Sequence, residues 1–513
     1  MKTFQLAIVL LLSFVFNPLS AQNESDVLRL SQTFTGGTAR SIGMGGAFGA
    51  LGGDMTSLSI NPAGIGVYRS SEFTFTPTIG TDNTKSTFIN NSYSDSKVKF
   101  NLNNIGYVYT YNTNKEEGWV SASFGIAYNR LNDFNKNATI TAVNPYSSML
   151  DGFTTNLNWN LIGTGQDIPS TLANDPSYSY YENLAYNTNA IWIDHTPGSI
   201  DSGYFVNDFK DKGELQQRII TTKGSIGEYA FSFGANYSNK LYLGATVGID
   251  HVDYQEIKNH NESQTPSSNI MDNFTFIDNF KTWGTGYNIK IGLIYKPIDL
   301  IRLGLAFHSP TYYSLSSEFY TSMNVNFKSI PQGLNDTHYY DQTNVATFDY
   351  NITTPMRLVT SLAFQFQQLG VLSVDYEFVD YTSAKIRADN DPFTDVNNLV
   401  QNTYRSTGNL KIGAEAKIGD FALRAGFGYY GSPYNSNQFN KDASTTSYSF
   451  GLGYRGKSFF LDLGYILFNT KYIYKLYDYE ELNTTDNKYY IYPETADMNS
   501  KYGKIAMTLG FRF

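Results

Sequence analysis

The chain has no cysteine among its 513 residues, which excludes a disulfide scaffold and thiolate metal sites in an exported protein. It also lacks, beyond its amino terminus, anything near the roughly 18 to 20 consecutive apolar residues that a transmembrane helix needs, so membrane residence would have to come from strands. Basic residues are short: 37 Lys and Arg face 46 Asp and Glu, for a net charge of -9 and a pI near 5.2. That balance argues against a nucleic-acid partner, which would favour a basic patch. Histidine is scarce as well. The five, His195, His251, His260, His308 and His338, show neither metal-ligand spacing nor a nucleophile elbow beside them. His308-Ser309 reads as a coincidental pairing, so neither an enzyme nor a bound cofactor or metal is expected.

What the chain has in quantity is tyrosine (41), phenylalanine (36) and glycine (43), beside a mean hydropathy of -0.32. This composition suits a barrel with aromatic girdles and a polar lumen. The last residues agree. Ile505, Met507, Leu509, Phe511 and Phe513 alternate with Lys504, Ala506, Thr508, Gly510 and Arg512, as the closing strand of a lipid-embedded barrel requires. The terminal Phe513 suits recognition by the barrel-assembly machinery. At the other end, Lys2, an apolar run from Ala7 to Phe16 and the small residues before Ala21 read as a signal peptide over 1–21. Together they imply export to a bacterial outer membrane, in contact with its lipid and lipopolysaccharide.

A period-two template finds about fourteen strand-like segments between Glu72 and Phe513. Tight turns at Ser238-Asn239, Lys296 to Asp299, Gln367 to Gly370, Gly419-Asp420 and Arg455 to Lys457 alternate with long polar stretches. Those stretches, roughly 80–97, 134–226, 256–277, 315–346, 385–404, 432–444 and 472–499, are expected to be loops, the longest about 134–226. Short turns on one side and long loops on the other place the short side in the periplasm. The expected fold is all-β: a 14-stranded antiparallel transmembrane β-barrel over 72–513. Glycines at 244, 248, 292, 304, 413, 426, 428, 451, 453, 464 and 510 fall on its lumen face and leave room inside.

The candidate for that room is residues 22–71, an amino-terminal hatch. Gly36 to Gly66 is rich in glycine and alanine, yet carries Ile42, Met44, Phe48, Leu51, Met55, Leu58 and Ile60, which a solvated linker would not need. Asn61-Pro62 is a local turn signal. On the glycine-rich run Arg40 to Gly53, Asp54 and the Asn61-Pro62-Ala63-Gly64 motif ahead of the first strand, the chain resembles the FadL and TodX outer-membrane hydrophobe transporters, including members labelled hemin receptors. That resemblance implies a fourteen-stranded barrel closed by a hatch, with gating residues at Asp54, Asn61, Pro62, Ala63 and Gly64. It also implies a hydrophobic small molecule, fatty acid-like or aromatic, as passenger by passive diffusion. In FadL the ligand is caught by extracellular loops, disturbs the hatch and leaves sideways at a kinked third strand. A protein-binding role like that of PorV, a FadL-like barrel that carries cargo in type IX secretion, is the alternative.

Two candidate ligand sites follow. The stretch from Phe134 to Gly227 contains Trp159, Trp192 and many aliphatic residues, more apolar surface than a solvated loop should expose; it either captures ligand or packs upon itself as a cap. FadL catches its ligand mainly on its third and fourth extracellular loops, so this is a departure. The second site is the set of charges on the lumen face: Asp250, Lys290, Arg302, Arg357, Asp375, Lys411, Glu415, Arg424, Asp462, Lys504 and Arg512. Arg302, Arg357 and Arg424 could hold a carboxylate, or the whole set could form a salt-bridge network with the hatch.

Overall fold

The structure, a computed structural model, describes residues 23–164, 180–196, 203–209, 212–263, 265–367, 369–483 and 488–513. The expected signal peptide lies outside these residues.

Fourteen strands form a ring in sequence order. They are β1 (Glu72–Phe88), β2 (Asn91–Asn112), β3 (Trp119–Asp133), β4 (Glu214–Tyr237), β5 (Leu241–Ser263), β6 (Met271–Ile298) and β7 (Ile301–His308). The ring continues through β8 (Arg357–Phe366), β9 (Gly370–Asp380), β10 (Ser406–Ile418), β11 (Phe421–Tyr430), β12 (Thr445–Arg455), β13 (Phe459–Asn483) and β14 (Lys488–Arg512). Every neighbouring pair is antiparallel, and β14 closes on β1 from Glu72↔Arg512 to Thr87↔Asp497. Closure removes both edges, as a lipid-embedded sheet demands.

The alternation behaves as expected. On β14, Ile505 and Phe511 point out and are about half exposed, while Lys504 and Thr508 are buried inside. All the buried charges on the lumen face sit where the period-two register puts them, including Asp250, Lys290, Asp375, Glu415, Arg424 and Asp462. The short-turn end carries an aromatic girdle: Trp119 meets Tyr237 edge-on at 5.3 Å, and Tyr107 stacks on Phe513 at 6.0 Å. Ser238 and Asn239 both adopt positive φ (52° and 56°) in the short turn between β4 and β5, the geometry that suits a tight hairpin.

The expected long loops need correction. Most are strand. The stretch 80–97 is a hairpin whose only turn is Ile89-Asn90, β5 runs on to Ser263, and β13 and β14 are 25 residues each. Only about 9 to 11 residues are needed to span the bilayer, so more than half of each long strand stands above it. Outside the lipid both faces meet water or protein. The apolar alternation that marks a membrane strand stops there, and a template demanding one apolar face sees a loop. On β5 the change is visible: Leu243 and Val247 face outward, followed by His251 and Asp253. Of 134–226, β3 resumes as a strand over Lys136–Asn144. Two helices follow, α4 (Met149–Thr164) and α5 (Tyr180–Asn187), and Glu214 already belongs to β4.

Candidate functional site: the hatch, its wall and a parted seam

The amino-terminal segment fills the lumen from top to bottom. Its first helix, α1 (Glu24–Ser31), is closed by a capping box in which Asn23 accepts from the Ser25 amide. Val27, Leu28 and Leu30 are buried against Val252, Leu315 and Tyr350 of the strand extensions, and the Tyr404 hydroxyl donates to the Glu24 carbonyl at 3.0 Å. The chain then descends through α2 (Ala39–Gly43) and α3 (Ser57–Ile60) to the 310 turn Pro62–Val67 near the periplasmic end. Ile42, Met44, Phe48, Met55 and Leu58 are wholly buried, so the glycine-rich run is a packed plug.

Glycines on the barrel wall decide the fit. A methyl group at Gly244 would overlap the Pro62 carbonyl, one at Gly292 the Asn61 side chain, one at Gly304 the Gly49 carbonyl and one at Gly413 the Met44 carbonyl. Gly426 faces Gly45, and Gly464 faces the Ala39 carbonyl. The wall is therefore cut away where hatch backbone lies against it, which is the use expected of a side chain-free position. Gly248, Gly428, Gly453 and Gly510 instead make room for wall side chains, such as Arg424 beside Gly453.

The motif residues have distinct partners. Asn61, extended at φ -141°, donates to the Gly49 carbonyl at 2.6 Å and to Leu293 of β6 at 3.2 Å, while its own oxygen accepts from the Ala63 amide at 3.1 Å. One side chain thus ties two hatch segments to the wall. Pro62 and Ala63 seat against Gly244, and the Gly64 carbonyl accepts from the Gly53 amide at 2.9 Å. Asp54 works within the hatch, accepting from the Thr38 hydroxyl at 2.8 Å and the Thr56 amide at 2.9 Å.

The lumen charges mostly hold each other and the hatch. Arg40 grips Glu415 through two bonds of 2.9 and 3.1 Å. Glu415 also takes Arg424 at 2.6 Å, Arg424 reaches Asp462 at 2.7 Å, and Asp462 takes Arg455. This alternating relay is the kind of arrangement in which burial of charge is tolerable. Asp375 accepts the Gly49 amide at 2.8 Å. Lys290 pairs with Glu228, which also takes the Ser59 hydroxyl. Arg357 bonds the Ser31 carbonyl, Thr33 and Glu377. Of the three arginines offered as carboxylate holders, Arg357 and Arg424 already have acidic partners. Among the described residues Arg302 bonds only the Leu51 carbonyl, at 2.8 Å. The anchor that sequence reasoning missed is Arg40, hidden in the glycine-rich run with no local sign of a partner 375 positions away.

The long extracellular stretch forms a cap. Met149, Leu150, Phe153 and Leu157 of α4 and Leu184 of α5 bury themselves against Phe274 and Phe276 of β6 and Met498 of β14. Trp192 is 37% exposed at the cap surface; Trp159 belongs to α4, and its side chain lies outside the described ones. Trp192 is not brought together with the arginines. His308 and Ser309 do not pair either: the imidazole Nε2 meets the Ile60 carbonyl at 2.8 Å, and the Ser309 hydroxyl donates to the Pro310 carbonyl.

One seam of the barrel is parted. β2 pairs with β3 only from Asn104↔Asn129 to Asn112↔Ser121. A register shift at Arg130/Asn132 bends β3 beside β4 without ending their pairing, which runs on from Lys136↔Thr222 to Asn144↔Glu214. Its continuation, 136–144, folds inward over the β1–β2 hairpin, with the Thr139 amide bonded to Asp95 and the Ser86 hydroxyl to the Thr139 carbonyl. From Asn103 back to Asn91, β2 makes no ladder with a strand on that side among the described residues. Phe100 and Val98, paired with Ile79 and Thr81 of β1, project outward at 69% and 67% exposure, in the outer half of the apolar band. Side chains bridge the opening: Asn101 to Asp133 at 2.8 Å, Arg130 to the Leu102 carbonyl at 3.3 Å and Lys97 to the Thr222 carbonyl at 2.8 Å. Behind it lies a cavity of about 260 Å³, walled by Leu131 to Lys136, Phe34, Phe468 and Tyr502.

These features define a class: a fourteen-stranded β-barrel of the outer-membrane type, plugged by its own amino-terminal segment. A FadL homologue from Pseudomonas aeruginosa has the same fold, at 13% identity over 94% of this chain and 100% of that one, with a TM-score of 0.52. The toluene transporters TodX of Pseudomonas putida and TbuX of Ralstonia pickettii align over 94% of this chain and 99% of theirs at 14% identity, with TM-scores of 0.48 and 0.47. No family model matches the chain, and no curated protein does. The fold is the FadL-type barrel that the hatch motif led one to expect.

Proposed function

We propose that this barrel lets hydrophobic small molecules cross a bacterial outer membrane passively, entering beneath the extracellular cap and leaving sideways into lipid between β2 and β3. The parted seam carries this reading. A hydrophobe gains little from an aqueous pore, and a short path from an internal cavity to acyl chains serves it better. The seam offers that path, because scattered side-chain bonds replace the continuous ladder that closes the other seams. Below it the hatch fills the lumen, with Asp54 and Asn61 to Gly64 holding its segments together, so a straight route to the periplasm requires that plug to move.

The test exploits the absence of native cysteine. Asn101→Cys with Asp133→Cys places two thiols where a hydrogen bond of 2.8 Å now spans the gap. Oxidation should cut accumulation of radiolabelled oleate by about tenfold, and reduction should restore it; a barrier rise of about 1.4 kcal/mol corresponds to that factor. Equal uptake by the oxidised and reduced forms would rule out the lateral route. Stable co-purification with secreted proteins and no uptake in either form would favour the cargo-binding alternative.

A further inference from the structure

At the periplasmic face, between hatch and wall, lies a second chamber of about 200 Å³. Its basic members are Arg40, Arg302 and Lys417, and its one acid is Glu415. Both oxygens of Glu415 are taken up by Arg40, and one of them is shared with Arg424, so that acid has nothing left for the other two bases. Among the described residues, no acidic side chain forms an ion pair with Arg302 or Lys417. Among the same described residues the Arg302 guanidinium makes a single hydrogen bond, to the neutral carbonyl of Leu51, and its Nε is buried with no partner. A buried donor left unmatched on a charged group is costly and asks for an acceptor. Leu51, Val67 and Val371 supply an apolar wall to the same chamber.

We infer that this chamber is a binding site for an anionic headgroup, carboxylate or phosphate, carried on an apolar chain. Arg302 would bind the anion through Nε and a terminal nitrogen, the fork that suits two oxygens. Lys417, exposed at the mouth, would draw it in, and the chain would lie along Leu51, Val67 and Val371. Occupancy has a mechanical result. A full negative charge attracts the guanidinium more strongly than a neutral carbonyl does, so the anion draws Arg302 away from the Leu51 carbonyl. That carbonyl opens the Leu51-Gly52-Gly53 bend, whose two glycines hold positive φ of 66° and 64°. The site therefore couples an anionic amphiphile on the periplasmic side to loosening of the hatch on β7. It stands whether or not the β2–β3 seam is an exit, because the disulfide experiment does not touch it.

The test is hydrogen–deuterium exchange of residues 49–54 in the full chain, held in a neutral maltoside detergent. The probes are laurate, dodecyl phosphate, dodecanol and inorganic phosphate. Laurate and dodecyl phosphate should speed exchange of this segment by about fivefold in the wild type, a change in local opening, while dodecanol and inorganic phosphate at equal concentration should not. Lys417→Gln lies at the mouth and away from the hatch bonds; it should fold normally and need several-fold more laurate. In Arg302→Gln, exchange should be raised without any probe and insensitive to laurate. An equal response to dodecanol would show an apolar site alone, and an equal response to inorganic phosphate would show a free-anion site. Either result, or an unchanged laurate response in both variants, would overturn the proposal.

Discussion

The lower lumen and the extracellular cap are both tightly filled, by opposite means. In the lower lumen the wall withdraws its side chains, and the hatch presents backbone: Gly244 receives the Pro62 carbonyl, Gly304 that of Gly49 and Gly464 that of Ala39. In the cap, large side chains interlock, with Phe153 and Tyr181 both packed on Phe276 at 5.7 and 5.2 Å between ring centres. The difference teaches what each region tolerates. An apolar core loses stability when a side chain is removed and adapts in part around the hole. A backbone-to-glycine contact tolerates no addition, because neither side has a rotamer to change.

The comparison can be broken most forcibly from below. Gly292→Leu would place a branched side chain where Asn61 now sits, and the hatch could not seat on β6. Planar-bilayer recording should then show conductance at least about tenfold above wild type, since an unplugged barrel of this size holds a water-filled lumen. Conductance equal to wild type would mean that the hatch does not depend on this contact. Next comes Phe153→Ala, which leaves a cavity in the cap and should cost about 3 to 5 kcal/mol of local stability. Amide exchange of residues 149–157 should quicken while the barrel keeps its heat-modifiable mobility on gels; an unchanged cap would break the contrast between regions.

The smallest effect is a pH dependence confined to the cap. Glu182 of α5 is 4% exposed, bonded to Asn156 of α4 at 3.0 Å, and its other oxygen has no partner among the described residues. Burial pushes its carboxyl above the usual glutamate range, and the Asn156 amide only partly opposes the shift. The folded cap thus holds this proton at a pH where the unfolded segment, titrating near 4.3, has lost it. Stability is full below that value and declines as pH rises through the folded-state value. Protection factors of residues 180–187, which divide out the base catalysis of amide exchange, should be lower at pH 8 than at pH 5, and Glu182→Gln should abolish that difference. A variant with the same dependence as wild type would assign the effect to another group.

The two regions were unequally legible. The plug could be read because Ile42, Phe48 and Leu58 have no reason to sit in a solvated linker, and the lumen face because period two places Asp250, Arg424 and Lys504 on one side. Which glycine receives which part of the hatch could not be read, since an absent side chain carries no mark of its partner. Arg40 and Glu415 illustrate the same limit for charges, and Arg302 looked no different from Arg424 until the acids had been shared out. The cap was half legible. Its apolar content was plain, but its tall strands were hidden, because above the lipid the outward face turns polar, as at His251 and Asp253, and the wholly apolar face that marks a membrane strand is gone. The parted seam left only a faint trace in the charges of β2 near Lys97 and Lys99.

The closing strand holds one contact with a consequence for assembly. Thr508 accepts the Ala39 amide at 2.7 Å and shares a hydrogen bond of 2.7 Å with Thr76 of β1. The hatch therefore finds part of its seat on the last strand to be synthesised, 469 positions downstream. Contacts of such separation form late, because the intervening chain must be ordered first. Docking of the plug and sealing of the ring thus become a single kinetic event, and a barrel that closed without its hatch would have shut the door on it.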